Sequence, residues 1–306
     1  MIIPEPPANY KSGFVGIIGR PNVGKSTLMN QLLGQKIAIT SPVAQTTRNR
    51  LRGVLTTPEA QIIFVDTPGI HKPHHQLGKV LVKNAKLAIQ SVDILVFVVD
   101  GTTMAGGGDR YIVNLLEGAK IPVILGINKS DQQASDQESV LDESYRELIG
   151  ATDWLIEKFS ALTGEGVPEL HRQLIELLEP GPYYYPPDLI TDQPERFIMG
   201  ELIREQILLL TREEVPHSVA VVIDRVEEDP MITRVLATIY VERPSQKGIL
   251  IGKGGSMLKQ IGTEARQQMQ KLIAGQVYLE LFVKVQPKWR QSRFQLAELG
   301  YQVEEG

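Results

Sequence analysis

Apolar residues in the first 180 positions follow two alternating periods. Short, nearly unbroken apolar runs predict buried strands at Phe14–Ile18, Arg52–Thr56, Gln61–Val65, Ile94–Val99, Val123–Ile127 and Trp154–Phe159. Between them, apolar positions three and four apart predict helices over Lys25–Leu33, Leu77–Ser91, Asp109–Glu117, Ser139–Leu148 and Val167–Leu178. Strands that are apolar at nearly every position have no face to give to water, so their sheet must be covered on both sides. The alternation therefore predicts an α/β unit with a mainly parallel sheet and helices on both faces. Ligands of such sheets sit beyond the carboxyl ends of the strands.

The pattern breaks between Glu179 and Pro187, where four prolines and three tyrosines stop any helix or central strand and predict an extended linker. The boundaries follow: a first domain over 1–180, a linker over 181–194 and a second domain over 195–306. The second domain has a different order. A helix (Glu195–Leu210) and two strands (Ser218–Val226, Thr233–Glu242) precede a Gly-rich loop, a helix (Met257–Ile273), a strand (Val277–Val285) and a helical tail (Trp289–Leu299). That order is α+β.

Composition adds exclusions. The longest apolar run, Val92–Val99, is interrupted by Asp93 and is too short to span a bilayer. Pro4, Pro6 and Pro7 break the start, so no signal peptide is expected and the cytosol is the expected location. With no cysteine, disulfides, thiol catalysis and Cys-based zinc sites are out. A net charge of −4 alone argues against a nucleic-acid partner, but its distribution argues for one. Arg243 to Arg293 carries ten basic residues against two acidic ones, Glu264 and Glu280.

Five stretches carry chemistry in the first domain. Gly19, Arg20, Pro21, Asn22, Val23, Gly24, Lys25 and Ser26, with Thr27 behind them, fit G-x-x-x-x-G-K-[ST] directly after the first strand. The glycines let consecutive N–H groups turn toward phosphate oxygens, and the helix opening near Gly24 adds its positive end. Lys25 supplies a charge and Ser26 a hydroxyl for a divalent metal. Asp66, Thr67, Pro68 and Gly69 end another strand, with Asp66 suited to the metal through water and the Gly69 N–H to a γ-phosphate. Thr47, with Thr46 as the alternative, offers a further metal hydroxyl from the polar loop Thr40–Arg50, which a γ-phosphate could order and hydrolysis release.

Asn128, Lys129 and Asp131 follow the Val123–Ile127 strand. An acceptor-only carboxylate pairs with two donors on the guanine edge, whereas adenine presents an acceptor there and is rejected. That disfavours an ATP-driven RNA remodeller. Asn128 can bridge loops and base, and the Lys129 stem can lie along the ring. Ser160, Ala161 and Leu162 could bring the Ala161 N–H to the guanine oxygen.

In order and spacing these stretches resemble a translation-factor-class GTPase. The resemblance implies GTP and GDP binding with Mg²⁺ held by Ser26, Thr47 and Asp66, and catalysis through Lys25, Thr47 and Gly69. Ile70 departs from Ras-like enzymes, which place a glutamine after this glycine; a hydrophobic residue cannot orient the attacking water. In related GTPases an asparagine at the place of Asn22 helps hold K⁺, so Asn22 and K⁺ join the catalytic candidates.

In the second domain, Gly252, Lys253, Gly254 and Gly255 form G-x-x-G between two helical stretches. Such a loop clamps a nucleic-acid backbone, with Lys247, Lys253 and Lys259 for phosphates and Ile249 and Ile251 for splayed bases. This half is similar to a KH domain of the bacterial type. Together the halves resemble the ribosome-assembly GTPases. That resemblance implies binding of small-subunit ribosomal RNA near its 3′ end, action on the pre-ribosomal subunit and peripheral membrane contact. A monomer is expected. The competing expectation is an RNA-binding protein that keeps GTP as a structural ligand with negligible hydrolysis. Trp289, beside Lys288 and Arg290, is either a base-stacking residue or core. Tyr183 to Tyr185 stack on bases or pack the linker, and His71, His74 and His75 belong to a solvent loop or a metal site.

Overall fold

The structure, a computed structural model, describes residues 3–43, 46–70, 76–273 and 275–301. The first domain runs β1 (Lys11–Gly19), α1 (Lys25–Leu33), β2 (Leu51–Thr56), β3 (Ala60–Asp66), α2 (Gln76–Gln90), β4 (Ile94–Asp100), α3 (Gly107–Leu116), β5 (Val123–Asn128), α4 (Glu138–Ile149), β6 (Leu155–Lys158) and α5 (Val167–Leu177). Its sheet has the order β2-β3-β1-β4-β5-β6, parallel except for β2, which pairs antiparallel with β3. Period-2 alternation sends neighbours to opposite faces. Ile17 joins Leu28, Phe64 and Leu170 in one core, and Ile18 joins Ala85, Phe97 and Leu148 in the other. The expected two-faced burial of the apolar strands is what the fold displays.

The order puts β1 between β3 and β4. The loops after β1, β3 and β5 therefore open at one edge, where the sequence motifs lie.

Residues 180–191 form neither helix nor strand, turn once where Leu189 donates to the Pro186 carbonyl at 3.0 Å, and are strapped to the first domain. Buried Gln61 accepts the N–H groups of Tyr184 and Tyr185 at 2.8 and 3.0 Å, and donates to the Tyr185 carbonyl at 2.9 Å. Tyr183 packs on Tyr10 and Tyr184 on Phe14, with ring centroids 4.7 and 5.0 Å apart. Val54 then donates to the Ile190 carbonyl at 2.7 Å, so the strap continues along β2. A buried glutamine that must fill its hydrogen-bonding capacity, with aromatic cover beside it, explains the docking.

The second domain contains α6 (Glu195–Leu210), α7 (Val215–Ser218), β7 (Ala220–Asp229), β8 (Ile232–Val241), α8 (Pro244–Ile251), α9 (Ser256–Met269), β9 (Gln276–Val285) and α10 (Arg293–Glu298). β8 pairs antiparallel with β7 and parallel with β9. The two turns of the chain between β8 and β9, through α8 and α9, are the crossover that a parallel pair requires. β7 starts at Ala220, two residues after the expected start at Ser218, which instead closes the short helix α7 with Pro216 in its first turn.

α6 is buried nearly all round and includes Arg204 and Glu205 among its buried residues. A helix without a solvent face lies between two bodies. Ile203 and Ile207 pack into the second domain's core, which also takes in Ile39 from the first domain. A second joint forms where Leu77 and Leu81 of α2 pack with Trp289, Leu296 and Tyr301. No helix among the described residues is long and apolar enough to cross a membrane.

Candidate functional site

The loop after β1 wraps into α1 through backbone that few side chains allow. Gly24, the N-cap of α1, has φ +99°, and a Cβ there would overlap the Asn128 amide. Lys25 is buried and donates from Nζ to the Arg20 carbonyl at 2.8 Å. Burial pulls its pKa down to about 8, against the opposing pull of Asp66. The charge is thus stored in a dry position beside the helix N-terminus, where a phosphate would find it least screened.

Three oxygens converge one turn away. Ser26 Oγ lies 2.8 Å from Thr47 Oγ1 and donates to Asp66 Oδ2 at 2.6 Å, and Thr47 Oγ1 is 3.2 Å from the same oxygen. Asp66 is fully buried and its Oδ1 has no hydrogen-bond partner. Burial pushes the Asp66 carboxyl up, while Lys25 and the two hydroxyls draw it down. An orphaned buried carboxylate oxygen beside two hydroxyls is a hard-oxygen donor set of the type that suits Mg²⁺. Thr46 does not join it; its hydroxyl donates to the Val43 carbonyl at 2.6 Å.

Asn128 ties the two base-side loops together. Its Nδ2 donates to the Val23 carbonyl at 2.7 Å and its Oδ1 accepts the Ala161 N–H at 2.8 Å. Lys129 pairs with Asp100 at 2.5 Å. Asp131 and Leu162 are exposed and line the same cleft as Pro21, Thr27 and Thr47.

The side chains of four residues assigned to the nucleotide from sequence turn into the walls of the cleft, which leaves only their backbone for a nucleotide. The Arg20 guanidinium turns to Asp109 at 2.7 Å, Val23 is in the core, and Ser160 is fully buried, where its hydroxyl accepts the Thr163 N–H. Thr67 donates to the Ile17 carbonyl at 2.9 Å, which locks the end of β3 onto β1. Pro68 follows in that turn. Gly69 is pressed against Pro21, whose backbone lies 2.8 Å from where a Cβ would be. Ile70 is 1% exposed and packs into the core with Val65 and Ala85. Asn22 has φ 64° and donates from Nδ2 to the Pro42 carbonyl at 2.7 Å. His71, His74 and His75 lie outside the described residues.

The loop around Thr47 is not a plain solvent loop. Arg48 is 1% exposed and donates to the carbonyls of Val219 and Pro216 at 2.5 and 3.2 Å, with Tyr301 beside its guanidinium. Sequence reasoning passed over Arg48, Glu201, Arg204, Glu205 and Tyr301. Charges at positions 201, 204 and 205 inside an otherwise apolar helix were the available signal.

In the second domain, Gly252, Gly254 and Gly255 take φ values of 70°, 61° and 81°, and Lys253 is exposed at the loop tip. A groove of about 430 Å³ starts at Gly255 and runs between α9 and β9, walled by Leu258, Lys259, Gly262, Arg266, Leu279 and Leu281. Lys247, Ile249 and Ile251 are not in its lining. α8 buries Gln246 and Leu250, which leaves Ile249 47% exposed on another face. Trp289 is fully buried, donates to the Ser218 carbonyl at 3.0 Å and stacks on Tyr301, so it is core and not a base platform.

A phosphate loop, a hard-oxygen cluster and a guanine-type loop at one sheet edge define a P-loop GTPase, here joined to a domain with the KH crossover. The family described as 50S ribosome-binding GTPase matches residues 14–129, and the KH domain family matches residues 214–290. The chain is 76% identical to GTPase Era of Nostoc sp. over 303 residues, covering 99% of this chain and 93% of that protein. GTPase Era of Rippkaea orientalis is 72% identical over 302 residues, covering 99% and 96%. The chain belongs to the Era family of GTPases. Two solved Era structures superpose with a TM-score of 0.91 at 40% identity, covering 95% of this chain and 99% of theirs. One is an Aquifex aeolicus variant bound to GDP and AlF4⁻, the other a complex with MgGDPNP and nucleotides 1506–1542 of 16S ribosomal RNA.

Proposed function

We propose that this GTPase binds GTP and GDP at the β1, β3 and β5 edge and holds the 3′ region of small-subunit ribosomal RNA on its KH groove, during assembly of that subunit. One observation carries the coupling between the two: Thr47 stands among the nucleotide-side oxygens while its neighbour Arg48 is buried in the second domain. A change in the loop 40–50 with nucleotide state therefore disturbs the seat of the RNA-binding domain. The Era relative complexed with nucleotides 1506–1542 supports the choice of RNA. Its test is RNA affinity in the presence of a GTP analogue, GDP or no nucleotide. The expected result is three different affinities, and identical ones would remove the coupling.

Ser26, Thr47 and Asp66 would hold Mg²⁺, which supplies charge neutralisation on the phosphate oxygens. Lys25 stabilises charge on the phosphates, the Gly69 N–H meets the γ-phosphate and Asp131 reads guanine. Ile70, buried in the core, leaves water positioning to other groups. Asn22 is our choice to take part. Its amide nitrogen is held by Pro42, which leaves Oδ1 as an acceptor for K⁺ at the phosphate loop. Equal turnover in Na⁺ and K⁺ would remove that role. The cytoplasm, where these partners meet, is the proposed location, with the peripheral membrane contact implied by the family resemblance as part of the same proposal.

A further inference from the structure

Glu201, Arg204 and Glu205 share one face of α6, at the spacing of three and four residues that stacks side chains on a helix. Arg204 and Glu205 are 0% and 1% exposed, and each ion is held by a charged partner and a backbone group, with Arg204 Nη1 alone left without a hydrogen bond. Arg204 is paired with Glu201 on α6 itself, and the other partners of the two ions lie in the first domain. Glu201 grips Arg204 with both oxygens, accepting from Nε at 2.7 Å and Nη2 at 2.6 Å. The fork so fixed donates to the carbonyl of Thr46. Glu205 accepts the N–H of Thr40 at 2.9 Å through one oxygen and Lys36 Nζ at 2.6 Å through the other.

Thr47 follows the residue whose carbonyl is held and precedes Arg48, whose side chain is anchored on Val219. Its hydroxyl then has one direction left, toward Ser26 and Asp66. Ordering an irregular loop costs roughly 1–2 kcal/mol per residue in backbone entropy. Here the second domain meets that cost before any ligand arrives.

We infer that Arg204 and Glu205, oriented by Glu201, are positioning residues for Thr47, so that the KH-side helix completes the metal- and triphosphate-binding oxygens of the GTPase domain. The inference rests on Thr47 as a metal hydroxyl, proposed above. GDP lacks the γ-phosphate that would engage the loop 40–50, so the effect belongs to the triphosphate state.

The test titrates Mg²⁺ against the full chain with a non-hydrolysable GTP analogue and, separately, with GDP, reading nucleotide binding by calorimetry. Arg204→Ala and Glu205→Ala are expected to raise the Mg²⁺ needed for half-maximal analogue binding roughly ten-fold, the scale for residues that orient a metal's ligands. GDP binding is expected to stay unchanged. Arg204→Lys, which keeps one donor for the Thr46 carbonyl, should recover part of the loss. Faster amide exchange across 40–50 in the analogue-bound variants is the second expected readout. Residues that merely glued the domains would shift GDP and analogue alike, and that result, or no shift in either, overturns the inference. Thr47→Ala separates the premises. If it shifts Mg²⁺ dependence and Arg204→Ala does not, only the positioning role falls; if Thr47→Ala shifts nothing, the metal reading falls and takes the positioning role with it. Should Arg204→Ala fail to melt cooperatively, Arg204→Lys and Glu205→Ala carry the same comparison.

Discussion

Arg48 donates to the carbonyl of Val219, 171 residues further along the chain, at 2.5 Å. The contact lets one residue next to Thr47 fasten the loop 40–50 to the turn between α7 and β7. Among the described residues its hydrogen-bond partners are carbonyls and a tyrosine, and burial pulls the guanidinium's pKa down from its ordinary value. An arginine held this way acts as a multi-donor strap for backbone ends.

Arg48→Ala should therefore lower stability by about 1–3 kcal/mol for carbonyls left without donors, measured by urea denaturation. More telling is RNA affinity, which should lose its dependence on the bound nucleotide while nucleotide binding itself remains. Retained nucleotide dependence would show that the coupling runs through the other joints, α6 with Thr40 and Thr46 or α2 with Trp289.

Lys25 gives a pH prediction with a definite sign. With its pKa near 8 before nucleotide binds, the site loses its charge above that pH. GDP affinity should fall from about pH 8 upward by as much as roughly ten-fold per pH unit, where an ordinary lysine would hold out to about pH 10. Binding near pH 9 should take up a proton, seen as a buffer-dependent calorimetric heat. For the free protein the sign reverses: the pKa lies below the unfolded value of 10.5, so this group's destabilising contribution is present below pH 8 and fades as pH rises toward 10.5.

Ile70→Gln tests whether a Ras-like residue could be restored. The side chain at this position faces the core, not the cleft, and its backbone N–H donates to the Gly19 carbonyl at 3.1 Å. A glutamine would bury an amide without partners, at a cost of about 1–3 kcal/mol. Stability should drop and single-turnover hydrolysis should not rise. An accelerated rate would mean that the turn after Gly69 can swing the side chain toward the γ-phosphate.

The parts of the molecule legible in the sequence are those where one local rule decides. Apolar runs such as Ile94–Val99 had to be buried strands, and the G-x-x-x-x-G-K-S stretch had to follow one of them. Asp66 and Asn128 fall at strand ends because strand and motif are contiguous. What sequence left unread is non-local. Arg48 looked like a solvent residue because its partners lie at Pro216, Val219 and Tyr301. Trp289 stood beside two basic residues, as a base-stacking residue does, but the adjacent Arg290 is occupied by Glu242. Ile249 and Ile251 were assigned to the groove by their closeness to Gly252 in sequence. The rotation of α8, set by burial of Leu250, turned Ile249 outward instead.

Salt dependence separates the residues of the groove from those of the core. Lys259 and Arg266 line the groove and are exposed, so each can neutralise a phosphate. Replacing either with methionine should flatten the slope of log Kd against log salt by about 0.7, the value per phosphate on a single strand. Trp289→Phe should leave slope and affinity unchanged, since the ring is sealed between Tyr301 and the Ser218 carbonyl. It should instead lower the urea midpoint, because that carbonyl loses its donor at a cost of about 1–3 kcal/mol. A Trp289→Phe variant that kept its stability and lost RNA affinity would put the ring on the RNA, which its burial forbids unless the joint between α2 and α10 opens on binding.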